Sequence, residues 1–161
     1  MSTRSAALAD RFDQAIDEFA RAIESASDAQ WAASGGPEGW TVAATAQHVA
    51  GQFPLEREFI GEAAKGGAGL GYTWDDINGK NDTRAAANMQ CNKADVIALL
   101  RDGAGSMSAY IRGLSDEDLD RTAPLKLAGG APVSTQQLIE GGVLIEHVTG
   151  HLQSMRAATS A

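Results

Sequence analysis

Leu8-Ala9-Asp10-Arg11-Phe12-Asp13-Gln14-Ala15-Ile16-Asp17-Glu18-Phe19-Ala20-Arg21-Ala22-Ile23 is the stretch from which the fold is first read. Leu8, Phe12, Ala15, Ile16, Phe19, Ala22 and Ile23 recur at spacings of three and four, which aligns them as one apolar stripe on an α-helix. Asp13, Asp17, Glu18 and Arg21 fill the other face. The pattern predicts a helix from about Thr3 to Ser27 whose stripe must be buried against partners.

Three more such stretches follow. Beyond the turn-forming Gly35-Gly36-Pro37-Glu38-Gly39, Thr41 is a good N-cap, and Val42, Ala46, Val49 and Phe53 form the stripe of a second helix. Pro54 has no N–H to donate and crowds the carbonyl of Ala50, so a kink is expected before the helix ends near Lys65 at Gly66-Gly67. Residues 66–91, rich in Gly and Asn, read as a long irregular connection. Asn92 caps a third helix with Ile97, Leu100, Ala104, Met107, Ile111 and Leu114 on one side, and Ser115 starts a short extra turn. Pro124 and Pro132 bracket the next connection, and no strand-length alternation is visible. Ser134-Thr-Gln-Gln137 is a capping box that opens a fourth helix reaching about Ala158, with Leu138, Gly142, Ile145, Val148, Leu152 and Met155 inward. Gly141 and Gly142 weaken that helix, and a close backbone approach is the expected reason. Four long amphipathic helices predict an all-α four-helix bundle, a single domain over residues 1–161.

Composition narrows the function. Thirteen Lys and Arg against 21 Asp and Glu give a formal net charge of −8, which argues against nucleic acid or an anionic membrane as partner. Cys91 is the only cysteine, so no intrachain disulfide forms and a reducing compartment, the cytoplasm, is expected. The N-terminus lacks the apolar run of a signal peptide, and no later stretch has the roughly 20 apolar residues that span a bilayer.

The three histidines carry the chemistry. His147 and His151, four residues apart, leave one face of the fourth helix beside its apolar stripe. His48 stands next to Val49 on the second helix, and packed helices bring such inward side chains together from distant positions. Three neutral imidazoles suit zinc, nickel, copper or ferrous iron and suit magnesium or calcium poorly. Spacing alone leaves the alternative of structural or half-exposed histidines open.

Gly39-Trp40-Thr41-Val42, then His48-Val49, then Ile145-Glu146-His147-Val148-Thr149-Gly150-His151 and Arg156 resemble the DinB-like superfamily. That superfamily includes the metal-binding domain of mycothiol-dependent maleylpyruvate isomerase and related thiol S-transferases. The resemblance covers essentially the whole chain. It implies an up-down-down-up bundle in which His48, His147 and His151 hold one divalent metal ion, and it suggests a homodimer, which Ala- and Gly-rich helix faces would permit. Trp74-Asp75-Asp76-Ile77-Asn78 and Arg84 resemble the isomerase branch between the second and third helices. The isomerase motif has a glutamate where this chain has His147, so the isomerase reaction itself is not carried over.

Three histidine ligands leave a coordination position for water or substrate, and neutral ligands leave the ion its full charge, which favours an anionic fourth ligand such as a thiolate. The function expected is therefore thiol transfer, or a thiol-dependent isomerisation, on a small electrophile with a low-molecular-weight thiol as cosubstrate. Zinc or nickel is the expected metal, with iron as a further candidate. Glu140, taken as two turns before His147 on one helix, is the candidate proton acceptor, and Gln52, one turn beyond His48, the candidate support for a ligand. Arg84 is the candidate for a substrate carboxylate, and Trp40 and Trp74 for pocket walls. Cys91 is read as a packed thiol and not a nucleophile. A metal-binding stress-response protein without catalysis and a metal-dependent hydrolase are the competing readings.

Overall fold

Ser2 accepts hydrogen bonds from the backbone N–H groups of Arg4 and Ser5 and so opens α1 (Thr3–Ser25). The computed structural model describes residues 2–160. A Ser27 capping box starts the short α2 (Asp28–Ala32). Thr41 caps α3 (Val42–Ala64), as its hydroxyl and position predict, and the helix runs on through Pro54. Asn92 caps α5 (Lys93–Arg112), and a Ser115 capping box starts α6 (Asp116–Asp120).

Cross-contacts fix the direction of each helix. Ser5 Oγ donates to Arg112 O at 3.4 Å at one end, while Lys93 Nζ donates to Ala26 O at the other, so α1 and α5 are antiparallel. Thr41 Oγ1 donates to Met89 O at 2.8 Å, which sets the starts of α3 and α5 side by side, hence parallel. The last helix, α8 (Ile145–Thr159), begins near the start of α1, where Arg11 meets Glu140, and ends against Gly35. The result is the up-down-down-up four-helix bundle. One contiguous core joins Phe12, Phe19, Val49, Phe53, Leu100 and Ile111, with Leu152 closing it from α8. Val96 takes the buried place expected of Ile97, which is only partly covered.

Three local features depart from expectation. Residues 66–91 are not an irregular loop: they contain α4 (Trp74–Ala87), started by a capping box between Thr73 and Asp76. Only Ile77 and Ala85 of α4 are buried, so the helix has little apolar stripe to reveal it. The Pro124–Pro132 connection is a hairpin of β1 (Thr122–Leu125) and β2 (Ala131–Ser134), with Pro124 opposite Pro132. Pairing the two prolines puts both missing N–H donors at one non-hydrogen-bonded pair, which an antiparallel ribbon tolerates. Finally, the fourth helix is broken into α7 (Thr135–Glu140), whose Ser134–Gln137 capping box is present, and α8. Gly141 leaves the helical region at ψ −158°, where a Cβ would meet the backbone oxygen of Gln137 at 2.8 Å, whereas nothing lies within 4 Å of a Cβ at Gly142. The helix breaks at these two glycines, and the close backbone approach expected of the pair is present at Gly141, against the last turn of α7, and absent at Gly142.

No helix among the described residues is long and apolar enough to cross a membrane.

Candidate metal centre

His48 lies in the second turn of α3, and His147 and His151 lie on the first turns of α8. The glycine turn at 36–39 delivers the residue that covers them: Gly36 and Gly39 both have positive φ, and a bridge between Ser34 and Thr41 closes the turn, which brings Trp40 over the histidines. Trp40 stacks on His151, centroids 6.3 Å apart and planes 12° from parallel, and sits 5.1 Å from His48.

The three imidazoles face one another. Ring centroids are 5.0 Å apart for His48 and His147, 4.9 Å for His48 and His151, and 4.7 Å for His147 and His151, each pair steeply inclined. Nε2 of His48 is 2.9 Å from Nε2 of His147, and one ring nitrogen from each histidine lies within 4.8 Å of the others. Burial drives His48 down to about 2, helped by the neighbouring His147, His151 and Arg84. Burial likewise lowers His147 and His151 to about 4, with His147 lowering His151 further and Glu38 opposing it. All three rings are therefore neutral at pH 7 and present free lone pairs, the form in which histidine binds metal.

Glu56, which sequence reading overlooked, completes the centre. Its carboxylate is buried, and Oε1 lies 2.7 Å from Nδ1 of His147, a close contact and not an aligned hydrogen bond. Burial raises its pKa well above the ordinary carboxylate range. Both Glu56 oxygens and the Nδ1 atoms of His48 and His147 lack hydrogen-bond partners among the described residues. Three neutral imidazoles beside a buried carboxyl group whose oxygens have no hydrogen-bond partner form a donor set that fits one divalent ion. The signal was available in the sequence, because His48, Gln52 and Glu56 repeat at four-residue spacing on one face of α3.

The centre forms the floor of an open cleft of about 750 Å³ between α3, α4, the hairpin and the break before α8. Gln52 lines it and accepts a hydrogen bond from Arg84 Nη1 at 2.9 Å, so Arg84 braces Gln52 and does not itself line the cleft. Trp40 and Trp74 both line it, the latter donating from Nε1 to Leu127 O at 3.0 Å. Glu140 does not: the break at Gly141 removes the shared helix face with His147, and Glu140 pairs with Arg11 at 2.7 Å instead. Trp31 is in the core, donating to Cys91 O, while Cys91 Sγ faces Ala43 O with its pKa raised by burial.

An up-down-down-up bundle with three converging histidines on its second and last long helices defines a class of bundle proteins with a candidate metal centre. The sequence profile of the DinB superfamily matches residues 11–155, and the chain belongs to that family. Among solved structures it resembles YfiT from Bacillus subtilis, described as a probable metal-dependent hydrolase with an unusual four-helix bundle topology. The TM-score is 0.77 at 16% identity, over 99% of this chain and 89% of that one. DfsB, a sibling lethal factor precursor, gives 0.72 at 20% identity over 98% and 95%. A mycothiol-dependent maleylpyruvate isomerase gives 0.70 at 16%, with 96% of this chain covering 63% of the isomerase. At these identities the likeness is one of fold. No curated protein matches the sequence.

Proposed function

We propose that this protein is a divalent-metal-dependent thiol transferase, or a thiol-dependent isomerase, acting on a small electrophile. The observation that carries this reading is that the three histidines floor an open cleft, whereas a structural zinc site is closed by four protein ligands. His48, His147 and His151 are the ligands in this reading, and zinc or nickel the metal, iron fitting the same donors. Bound there, the ion would supply Lewis acidity, lowering the pKa of a thiol in the remaining position.

The chain's own groups do the rest. Glu56 lies 2.7 Å from the Nδ1 side of the His147 ring, placed to orient it, while Nε2 faces His48. Its raised pKa lets the same carboxyl hold a proton released by a thiol. Gln52, braced by Arg84, supports the wall beside His48, and Trp40 shields the rings from water. In transfer, sulfur bonds to the electrophilic carbon, the leaving group departs with its electron pair, and the thiol proton passes to Glu56 or water. In isomerisation the sulfur would add to one carbon of a conjugated C=C bond and push its π electron pair onto the conjugated acceptor, rotation would follow about the single bond so formed, and return of the pair would re-form the double bond as the thiolate leaves.

Support for a thiol comes from the fold likeness to an isomerase described as mycothiol-dependent. A hydrolase reading uses the same residues with water in place of the thiol, and Glu56 favours it as a buried carboxyl within reach of the centre. The test is metal-dependent thiol consumption across mycothiol, bacillithiol and glutathione with an electrophile panel, run beside ester hydrolysis. Loss of turnover in His48→Ala, His147→Ala and His151→Ala with Cys91→Ser unaffected is the expected result. Metal-dependent ester cleavage without thiol consumption moves the assignment to hydrolase, and no turnover of either kind leaves a non-catalytic metal protein.

A further inference from the structure

The cleft offers no side-chain cation to a substrate. Among the described residues no Lys or Arg lines it, and the nearby ones are engaged: Arg84 with Gln52, Lys80 over the Tyr72 ring, and Lys126 with Gly71 O at 3.0 Å. Two carboxylates, Glu38 and Asp82, line it from exposed positions without an ion-pair partner among the described residues. Between floor and rim the walls are apolar, built by Leu55, Phe59, Trp74, Leu125, Leu127 and Val143. Asn78, Asn81 and Gln137 add amides, which bond uncharged polar groups as readily as charged ones.

We propose that this cleft selects an uncharged, mainly apolar small molecule and rejects anionic ones, with Glu38 and Asp82 as the discriminating residues. The inference rests on the reading that the cleft holds the second substrate, and it narrows the electrophile to compounds without a carboxylate or phosphate. An anionic group directed away from the floor would lie near Glu38 and Asp82 with no counter-charge, on a chain of net charge −8. An apolar skeleton of ordinary small-molecule size fits the volume.

The test is binding, independent of turnover. N-phenyl-1-naphthylamine and 8-anilino-1-naphthalenesulfonate share one ring skeleton and differ by a sulfonate, itself a poor metal ligand. Fluorescence titration of the zinc-loaded protein should give the amine about tenfold the affinity of the sulfonate. The double variant Glu38→Gln, Asp82→Asn should cut that ratio to about threefold or less by tightening the sulfonate alone. Leu127→Glu should weaken the amine, placing it in the cleft. Equal affinities, a ratio unmoved by the double variant, an amine indifferent to Leu127→Glu, or no binding of the amine each overturns the proposal. Probe selectivity without thiol turnover would sink the transferase reading and leave this inference standing; turnover without selectivity would do the reverse.

Discussion

The α1–α5 side of the bundle and the α3–α8 side are built on opposite rules. Every buried side chain of α1 except Ser5 is apolar, and the outer edge against α5 is laced by Arg112 to Asp10 and Asp13 and by Arg101 to Asp17 and Glu24. On α3 the buried set includes His48, Gln52 and Glu56, and the adjoining surface opens into a cleft. Buried polar groups without partners cost stability, so the first side supplies what the second gives up. This is the usual division between scaffold and site.

The comparison breaks most readily in the scaffold. Phe12 is fully buried and meets Phe53 edge-on at 5.8 Å, so Phe12→Ala should cost about 3–5 kcal/mol in urea unfolding. A loss below about 1 kcal/mol would mean the α1–α5 side is not the stabilising half.

Glu56→Leu should act in the opposite sense. Without metal it replaces an uncompensated buried carboxyl by an apolar group and should stabilise the protein by about 1–3 kcal/mol. In the same variant metal affinity should fall about 10–100-fold, because His147 loses the group on its Nδ1 side. A variant that is destabilised without metal, or that binds metal as tightly as before, would remove Glu56 from the centre.

The pH dependence of the metal-free protein sharpens the contrast. The folded pKa values of His48, His147 and His151, about 2, 4 and 4, lie below the ordinary 6.5, so below pH 6.5 the unfolded chain takes up protons that the folded one does not. Stability is full above that value and falls with decreasing pH, each histidine contributing up to about 1.4 kcal/mol per pH unit. Glu56, raised, acts oppositely above its ordinary 4.5, and three histidines outweigh it. Urea midpoints should therefore drop between about pH 6.5 and pH 5, and should not drop in the triple alanine variant of the histidines.

The smallest effect belongs to the charged edge. Arg101 and its partners are about half exposed, so Arg101→Ala should change stability by less than about 1 kcal/mol and leave metal binding untouched.

Much of this architecture was legible because helix periodicity and caps are local signals. Thr41, Asn92 and Ser134 mark helix starts in the sequence and cap helices in the structure. The histidine triad was legible through the spacing of His147 and His151, with His48 joined to them by resemblance. What escaped was set by tertiary context. The α4 helix is held by its cap and by packing on α3, with two buried residues to announce it, and the hairpin depends on two prolines facing each other. Glu140 failed as a site residue because Gly141 and Gly142 end the helix that was to carry it toward His147. Glu56 was missed because a glutamate at helical spacing from a histidine reads as surface until its burial is known.

X-ray absorption on the protein loaded with one equivalent of zinc tests the central claim most directly. The account predicts three imidazole nitrogens at about 2.0–2.1 Å and one further light ligand from solvent, with His151→Ala reducing the imidazole count to two and most of the zinc lost on dialysis. Zinc that is not retained by the unsubstituted protein, or a first shell of oxygens with fewer than three imidazoles, would contradict it.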